Sequence, residues 1–171
     1  MKQANVAPQQ SILVGTCTGT IDVTTPFNAR LVELSDATYP PPHGEAHFML
    51  ATQRAPAPDY TTKEFVLSLS KASGNGRYGL APDFYAVRIL FIDNSDPQNP
   101  IVYTQYSGVA DVNYDAQKRE FRGEVSAVVE NTDEPTRKTL HLRINFHAIA
   151  IIPVRRIPRR YSPGKSHCSA A

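Results

Sequence analysis

The amino-acid sequence predicts an all-β protein, a single antiparallel β-sandwich of about nine strands, with a barrel as the alternative. Two observations support this prediction. From Thr139 onward apolar and polar side chains alternate, as they do in a strand with one buried face. Elsewhere short apolar runs are separated by turn-forming residues, which is typical of a sandwich or a barrel. Jelly-roll and immunoglobulin-like topologies both fit this spacing.

The N-terminal half contains two short apolar runs, residues 12–14 and 19–23, followed by a predicted hairpin. Its strands are residues 46–53 and 64–70, and its loop contains the prolines of residues 55–59. The inner face of this hairpin is predicted to consist of large apolar side chains: Phe48, Leu50, Phe65, Leu67 and Leu69.

Residues 87–92 are apolar on both faces, which indicates a strand at the centre of a sheet or beneath a second layer. Residues 101–106 form a further apolar run. No window shows the apolar spacing and capping of a stable helix, so we expect little helix beyond a turn near residues 82–86.

The C-terminal strands can be aligned residue by residue. A loop at residues 131–138 places Val125 opposite Ile144 and Gly123 opposite Phe146, with inward residues meeting inward residues. A one-residue slip would mix the buried and solvent faces. A turn at residues 114–118 returns to a strand at 109–114, so Glu120–Glu130 is predicted to be the middle strand of a meander.

Length and composition predict one domain. The chain has 171 residues, which is enough to bury a core that is stable without disulfide bonds. Its two cysteines cannot form a disulfide framework. We expect a flexible N-terminus at 1–10, a β-domain at 11–152 and a tail at 153–171. The chain shows neither a signal-peptide core nor a membrane span, so a cytoplasmic location is expected, with secretion after removal of a signal peptide as the alternative.

The net charge of +2 conceals a basic C-terminal tail without acidic residues. Three prolines in this tail disfavour regular structure. Such a segment is either a solvated terminus or an arm that binds nucleic acid or another anionic surface. The candidate anion-binding residues are Arg155, Arg156, Arg159, Arg160 and Lys165.

Residues 43–47 contain the strongest metal-binding pattern. On an extended strand His43, Glu45 and His47 would project from one face, and two imidazoles with a carboxylate suit zinc, iron or manganese. One strand rarely supplies ligands from enough directions, so His141 or His147 would have to complete the site. Surface histidines without a metal are the alternative, and we expect no cofactor.

A glycine-rich segment at residues 74–79 matches the spacing of a dinucleotide-binding loop. The match is rejected because the fingerprint requires a helix to follow, whereas Pro82 and a strand pattern follow here. The aromatic and basic residues near it could instead form a rim for a ligand. These candidate ligand-binding residues are Arg77, Tyr78, Phe84 and Tyr85.

No motif for nucleophilic catalysis is present in the sequence, which argues against an enzyme. We therefore expect a non-catalytic binding or assembly module that contacts a ligand, a protein partner or another copy of itself through loops and an outer sheet face. The first alternative is a cupin-like metal protein or enzyme. The second is an oligomeric structural subunit with a nucleic-acid-binding tail.

Overall fold

The computed structural model describes residues 15–150, and within that range the chain forms ten strands and no helix. The all-β prediction is therefore confirmed. No described segment could cross a membrane as an apolar helix. The strands are β1 (Gly15–Ile21), β2 (Thr25–Ala29), β3 (Leu31–Thr38), β4 (Glu45–Arg54), β5 (Thr62–Ser70), β6 (Gly76–Leu80), β7 (Val87–Asn94), β8 (Ile101–Asp115), β9 (Glu120–Glu130) and β10 (Thr139–Ile149).

All strands belong to one antiparallel sheet in the order β2-β1-β10-β9-β8-β7-β5-β4-β3, and β6 pairs with β8 beside β7. The two ends of this sheet meet because only Arg30 separates β2 from β3. Ala29 in β2 pairs with Cys17 in β1, whereas Leu31 in β3 pairs with Thr52 in β4. The sheet is therefore nearly closed, which is the barrel alternative of the sequence prediction.

The meander of β8, β9 and β10 has the predicted register. Val125 lies opposite Ile144, and Gly123 lies opposite Phe146. Ala110 of β8 pairs with Val125 from the other side, which makes β9 the middle strand as predicted. An added Cβ at Gly123 would lie 2.1 Å from the Asp111 carbonyl oxygen, so only glycine permits this close approach of β8 and β9.

The predicted inner face of β4 is wrong by one residue. Met49 and Ala51 are the inward side chains, and they pair with Leu67 and Phe65 of β5. Phe48 and Leu50, which the sequence interpretation placed in the core, point outward and are half-buried. The pattern misled because β4 carries apolar residues on both faces, which removes the alternation that identifies the buried side.

Several strand boundaries also differ from the prediction. Residues 101–106 and 109–114 belong to a single strand, β8, with a bulge between Gln105 and Ser107. Strands β2, β3 and β6 were not predicted. Strands β2 and β6 have only five residues each, and the apolar residues of β3 do not alternate with polar ones. Residues 12–14 lie outside the described residues.

The core fills the interior of the sheet. Its largest side chains come from strands all around the barrel, so no second layer is needed to bury them. Aromatic rings pack edge to face within it, including Phe121 against Phe146 at 5.1 Å and Phe27 against Phe91 at 6.1 Å between ring centroids. The fully buried aromatic residues are Phe27, Phe65, Phe91, Tyr103 and Phe121.

Candidate ligand-binding site

A loop at residues 39–44, here named the proline loop, folds over the outer face of β5. It is closed by a hydrogen bond of 2.9 Å from the Tyr39 amide to the Gly44 carbonyl. Gly44 adopts a φ of 66°, a conformation that glycine adopts without steric penalty. Beneath the loop Ser68 and Ser70 of β5 are buried although they point away from the barrel interior.

His43 is the side chain that anchors the proline loop. It is only 4% exposed, and its ring nitrogens contact the Tyr85 carbonyl (Nδ1) and Ser68 Oγ (Nε2, 2.9 Å). Because a carbonyl oxygen only accepts, Nδ1 carries a proton, and in the neutral ring Nε2 accepts from the Ser68 hydroxyl. Ser70 Oγ donates to the His43 carbonyl at 2.7 Å, so three hydrogen bonds attach this residue to its surroundings.

A second loop, residues 81–86, supplies the Tyr85 carbonyl and is held by a buried glutamine. Gln105 is 2% exposed and lies at the bulge of β8. Its Nε2 donates to the carbonyls of Ala81 and Phe84 at 2.6 and 2.9 Å, while its Oε1 accepts from the Ile89 amide at 3.0 Å. Gln105 therefore positions the loop on which Tyr85 lies.

A cavity of about 290 Å³ opens between these two loops on the outer face of β5 and β7. Most of its walls are apolar or aromatic, and the buried His43 and Ser68 add two polar side chains to the lining. It is lined by Tyr39, Pro40, Pro41, His43, Val66, Ser68, Tyr85, Arg88 and Leu90. Concave apolar surface with a few placed polar groups is the usual composition of a ligand site.

Among the described residues that line this cavity, Arg88 is the only one with a permanent charge. It pairs with Ser68 across β5 and β7, so the two side chains share the outer face. Its guanidinium carbon lies 5.3 Å from the centroid of the Tyr85 ring, in the range of a cation–π contact. The cavity therefore combines apolar walls with one positive charge.

The four residues of the predicted ligand rim do not lie together in the structure. Of its members only Tyr85 lines the cavity. Tyr78 points inward, packs against the core and donates its hydroxyl to the Gly74 carbonyl at 2.5 Å. Arg77 is exposed on β6 and borders a different depression, formed by polar and apolar residues of β8, β9 and β10. Phe84 is exposed on the 81–86 loop, with its ring centroid 6.5 Å from that of Tyr78.

The predicted face of His43, Glu45 and His47 is not formed, because His43 belongs to a turn rather than to β4. His47 points toward the end of the barrel, where its ring stacks on Tyr114 at 3.5 Å and its Nδ1 lies 3.1 Å from Asp36 Oδ1. Burial lowers the pKa of His47, against the opposing effect of the Asp36 carboxylate. Glu45 is exposed at the first residue of β4.

His141 and His147 lie on the outer face of β10. The Nε2 atom of His147 is 3.9 Å from Glu120 Oε2, and the backbone amide of His141 donates to Asp22. The structure thus places the candidate metal ligands in separate surroundings. Within residues 15–150 no three His, Cys, Asp or Glu side chains are arranged to hold a metal ion.

The candidate anion-binding residues of the tail, Arg155 to Lys165, lie outside the described residues, as does the N-terminal segment 1–10. Cys17 lies in β1, and burial raises the pKa of its thiol to about 12. A thiol with so high a pKa is a poor nucleophile.

Sequence reasoning missed Tyr39, Ser68, Arg88 and Gln105, yet two of them left a signal. Arg88 is the only charged residue within the apolar run 87–92, and Ser68 interrupts the apolar run 65–69. A polar residue inside a strand that is apolar on both faces needs a partner on the outer side. Gln105 left no such signal, because its role depends on contacts with residues 81, 84 and 89.

Comparisons with protein-family models, with curated proteins and with solved structures found no match to this chain.

Proposed function

We propose that this protein is a non-catalytic binding module that takes a small ligand into the cavity between the proline loop and the 81–86 loop. The observation that carries the proposal is the construction of this cavity. Two loops are fixed over one sheet face by buried, fully hydrogen-bonded polar groups, His43 and Gln105. The walls are held in place before a ligand arrives, which lowers the ordering cost of binding.

The two buried polar side chains of the cavity, His43 and Ser68, support binding rather than catalysis. The His43 ring is held on both sides, by the Tyr85 carbonyl and by Ser68. Ser68 lies in the middle of β5, where the strand pairs with β4 and β7 on its two edges. Backbone amides that already pair within a sheet are not available to stabilise an oxyanion, so this histidine and serine serve to fix the loop.

A cavity of this volume suits a compact ligand. About 290 Å³ is near the lower end of the range of small-molecule sites, roughly 300 to 1,000 Å³. One ring or a short branched chain would fill it. A protein partner or self-association through the outer sheet face, and a metal at the histidines, stay predictions from the sequence.

Binding can be tested by NMR titration of the protein with neutral single-ring compounds such as benzamide. We expect saturable shifts of the backbone amides of Tyr39, His43 and Tyr85. The Leu90→Trp change fills the cavity from its floor and should weaken binding about tenfold or more, a loss of about 1.4 kcal/mol. Leu90 points outward and is half-buried, so this change leaves the core intact.

The matched control is Ile92→Trp, on the same strand and the same outer face but outside the cavity. It should leave the affinity within about twofold of the unaltered protein. The proposal is overturned if no single-ring compound produces saturable shifts at the cavity, or if the two tryptophan variants weaken binding equally.

A further inference from the structure

We infer that the ligand of this cavity is a small carboxylate, with its apolar part between the loops and its carboxylate bound by Arg88. This inference rests on the proposed function, since it names the chemical class that the same cavity takes. Arg88 is the residue that decides it, because it supplies a permanent positive charge to a lining whose other members within residues 15–150 are apolar, aromatic or hydrogen-bonded polar side chains.

Among the residues that the structure describes, none neutralises the charge of Arg88 through an ion pair. Within residues 15–150, none of the ion pairs closer than 4.0 Å includes Arg88. Its contact with the Tyr85 ring orients the guanidinium without consuming its N–H donors. A half-buried arginine that lines an apolar cavity, and whose guanidinium has no ion-pair partner among residues 15–150, attracts an anion and repels a cationic ligand.

The other polar groups of the cavity do not compete for the anion. In the neutral His43 ring the Nδ1 proton is directed at the Tyr85 carbonyl, and the Ser68 hydroxyl is directed at Nε2. Neither group has a free proton for an incoming carboxylate. The planar guanidinium can donate two parallel hydrogen bonds, which match the two oxygens of one carboxylate.

The apolar lining determines the rest of the ligand. Val66 and Leu90 of the sheet face Pro40 and Pro41 of the proline loop, and Tyr39 adds an aromatic wall. The Tyr39 ring is itself held edge to face against His43, at 4.8 Å between centroids. A flat ring or a short branched chain would contact these walls and direct its carboxylate toward Arg88.

The test compares benzoate with benzamide, two probes of nearly equal shape that differ in charge. Affinities are measured by NMR titration of the full chain. We expect benzoate to bind at least tenfold more tightly than benzamide. The preference should fall as the salt concentration rises, because the interaction involves a partly exposed charge.

Variants of Arg88 test whether this residue causes the preference for benzoate over benzamide. Arg88→Gln should bring the two affinities within about twofold of each other, whereas Arg88→Lys should retain a preference for benzoate. Arg143→Gln is the matched control, because Arg143 is exposed on the outer face of β10 and its loss changes the net charge equally. It should leave the tenfold preference unchanged.

The outcomes separate the two proposals. Equal binding of benzoate and benzamide to the unaltered protein would overturn the carboxylate inference and leave the binding module standing. A preference that survives in Arg88→Gln, or that disappears in Arg143→Gln, would also overturn it, because the selectivity would then come from general charge. Failure of both probes to shift the cavity amides would overturn the proposed function and the inference together.

Discussion

The outer face of the sheet is exposed to solvent on one side of the barrel and covered by a loop on the other. In the meander of β8, β9 and β10 the inner face is apolar and the outer face meets solvent. On the opposite side, β4, β5 and β7 carry apolar residues on both faces, and the proline loop covers the outer face of β5. We call this second side the covered half. Its outer face is where the cavity is built.

The difference shows what an alternating pattern can reveal. Where one face is wet, polar residues such as Arg143 and Asn145 mark the solvent side, and a shift of one residue would bury them. Where a loop covers the outer face, both faces are apolar, and the polar residues that would identify the outer face are missing. The covered half is harder to predict because its outer face is apolar. The same apolar outer face allows it to hold a ligand.

The largest expected effect lies in the meander. Phe146→Ala removes a ring that is 4% exposed and packs against Phe121, and it should lower the free energy of unfolding by about 3 to 5 kcal/mol. Chemical denaturation measures this loss. The neighbouring Asn145→Ala change affects an outward, exposed residue and should cost less than about 0.5 kcal/mol. A loss below about 1 kcal/mol for Phe146→Ala would contradict its place in the core.

The sequence therefore predicted the register of β9 with β10 to the residue, because turn positions and one-sided burial fix it together. The same logic failed for β4, where Phe48 and Met49 are adjacent and both apolar. For the site, Tyr85 and His43 were singled out, but as members of different sites. Their meeting depends on Gln105 and on the path of two loops, and local sequence does not encode those contacts.

The next prediction compares the two faces of β4 directly. Met49 is 0% exposed inside the barrel, and Met49→Ala should cost about 2 to 5 kcal/mol. Phe48 has the larger side chain but lies half-buried on the outer face, so Phe48→Ala should cost less than Met49→Ala. Urea denaturation of both variants gives the order. If Phe48→Ala cost more stability than Met49→Ala, Phe48 would lie in the core, as the sequence pattern predicted.

A smaller loss of stability is expected on substitution of Gln105, which lies in β8 and hydrogen-bonds to β7 and to the 81–86 loop. Gln105→Leu leaves the Ile89 amide and the carbonyls of residues 81 and 84 without their partner. The expected cost is about 1 to 3 kcal/mol, measured by chemical denaturation. The variant should also weaken ring binding in the cavity, because the 81–86 loop then no longer holds Tyr85 in place.

Gln117 provides the control for this variant. It lies exposed in the turn after β8, so Gln117→Leu should leave both stability and ring binding nearly unchanged. If Gln105→Leu is as stable as the Gln117 variant, the glutamine does not fix the loop. If it is destabilised but binds the ring normally, the loop is held by other contacts, and the preformed cavity needs a different explanation.

The smallest effect is expected at the end of the barrel, where β4 of the covered half meets β8 of the meander through the stack of His47 on Tyr114. Burial lowers the pKa of His47 below its ordinary value of 6.5, so the unfolded chain binds the proton more readily. This contribution to stability is present above that value and is lost as the pH falls below it. The Asp36 carboxyl, whose pKa is lowered by its hydrogen bond to Lys71, changes charge only below 3.8 and does not enter this window.

Denaturation curves of the unaltered protein and of His47→Gln, recorded from about pH 7.5 to about pH 5, isolate this contribution. The unaltered protein should lose more stability over that range than the variant, because glutamine binds no proton. The difference between the two curves should be flat above about pH 7.5, where the histidine is neutral in both states. A larger loss in the variant would mean that Asp36 raises the pKa of His47 more than burial lowers it, and that this contact stabilises the protonated ring between the two sides of the barrel.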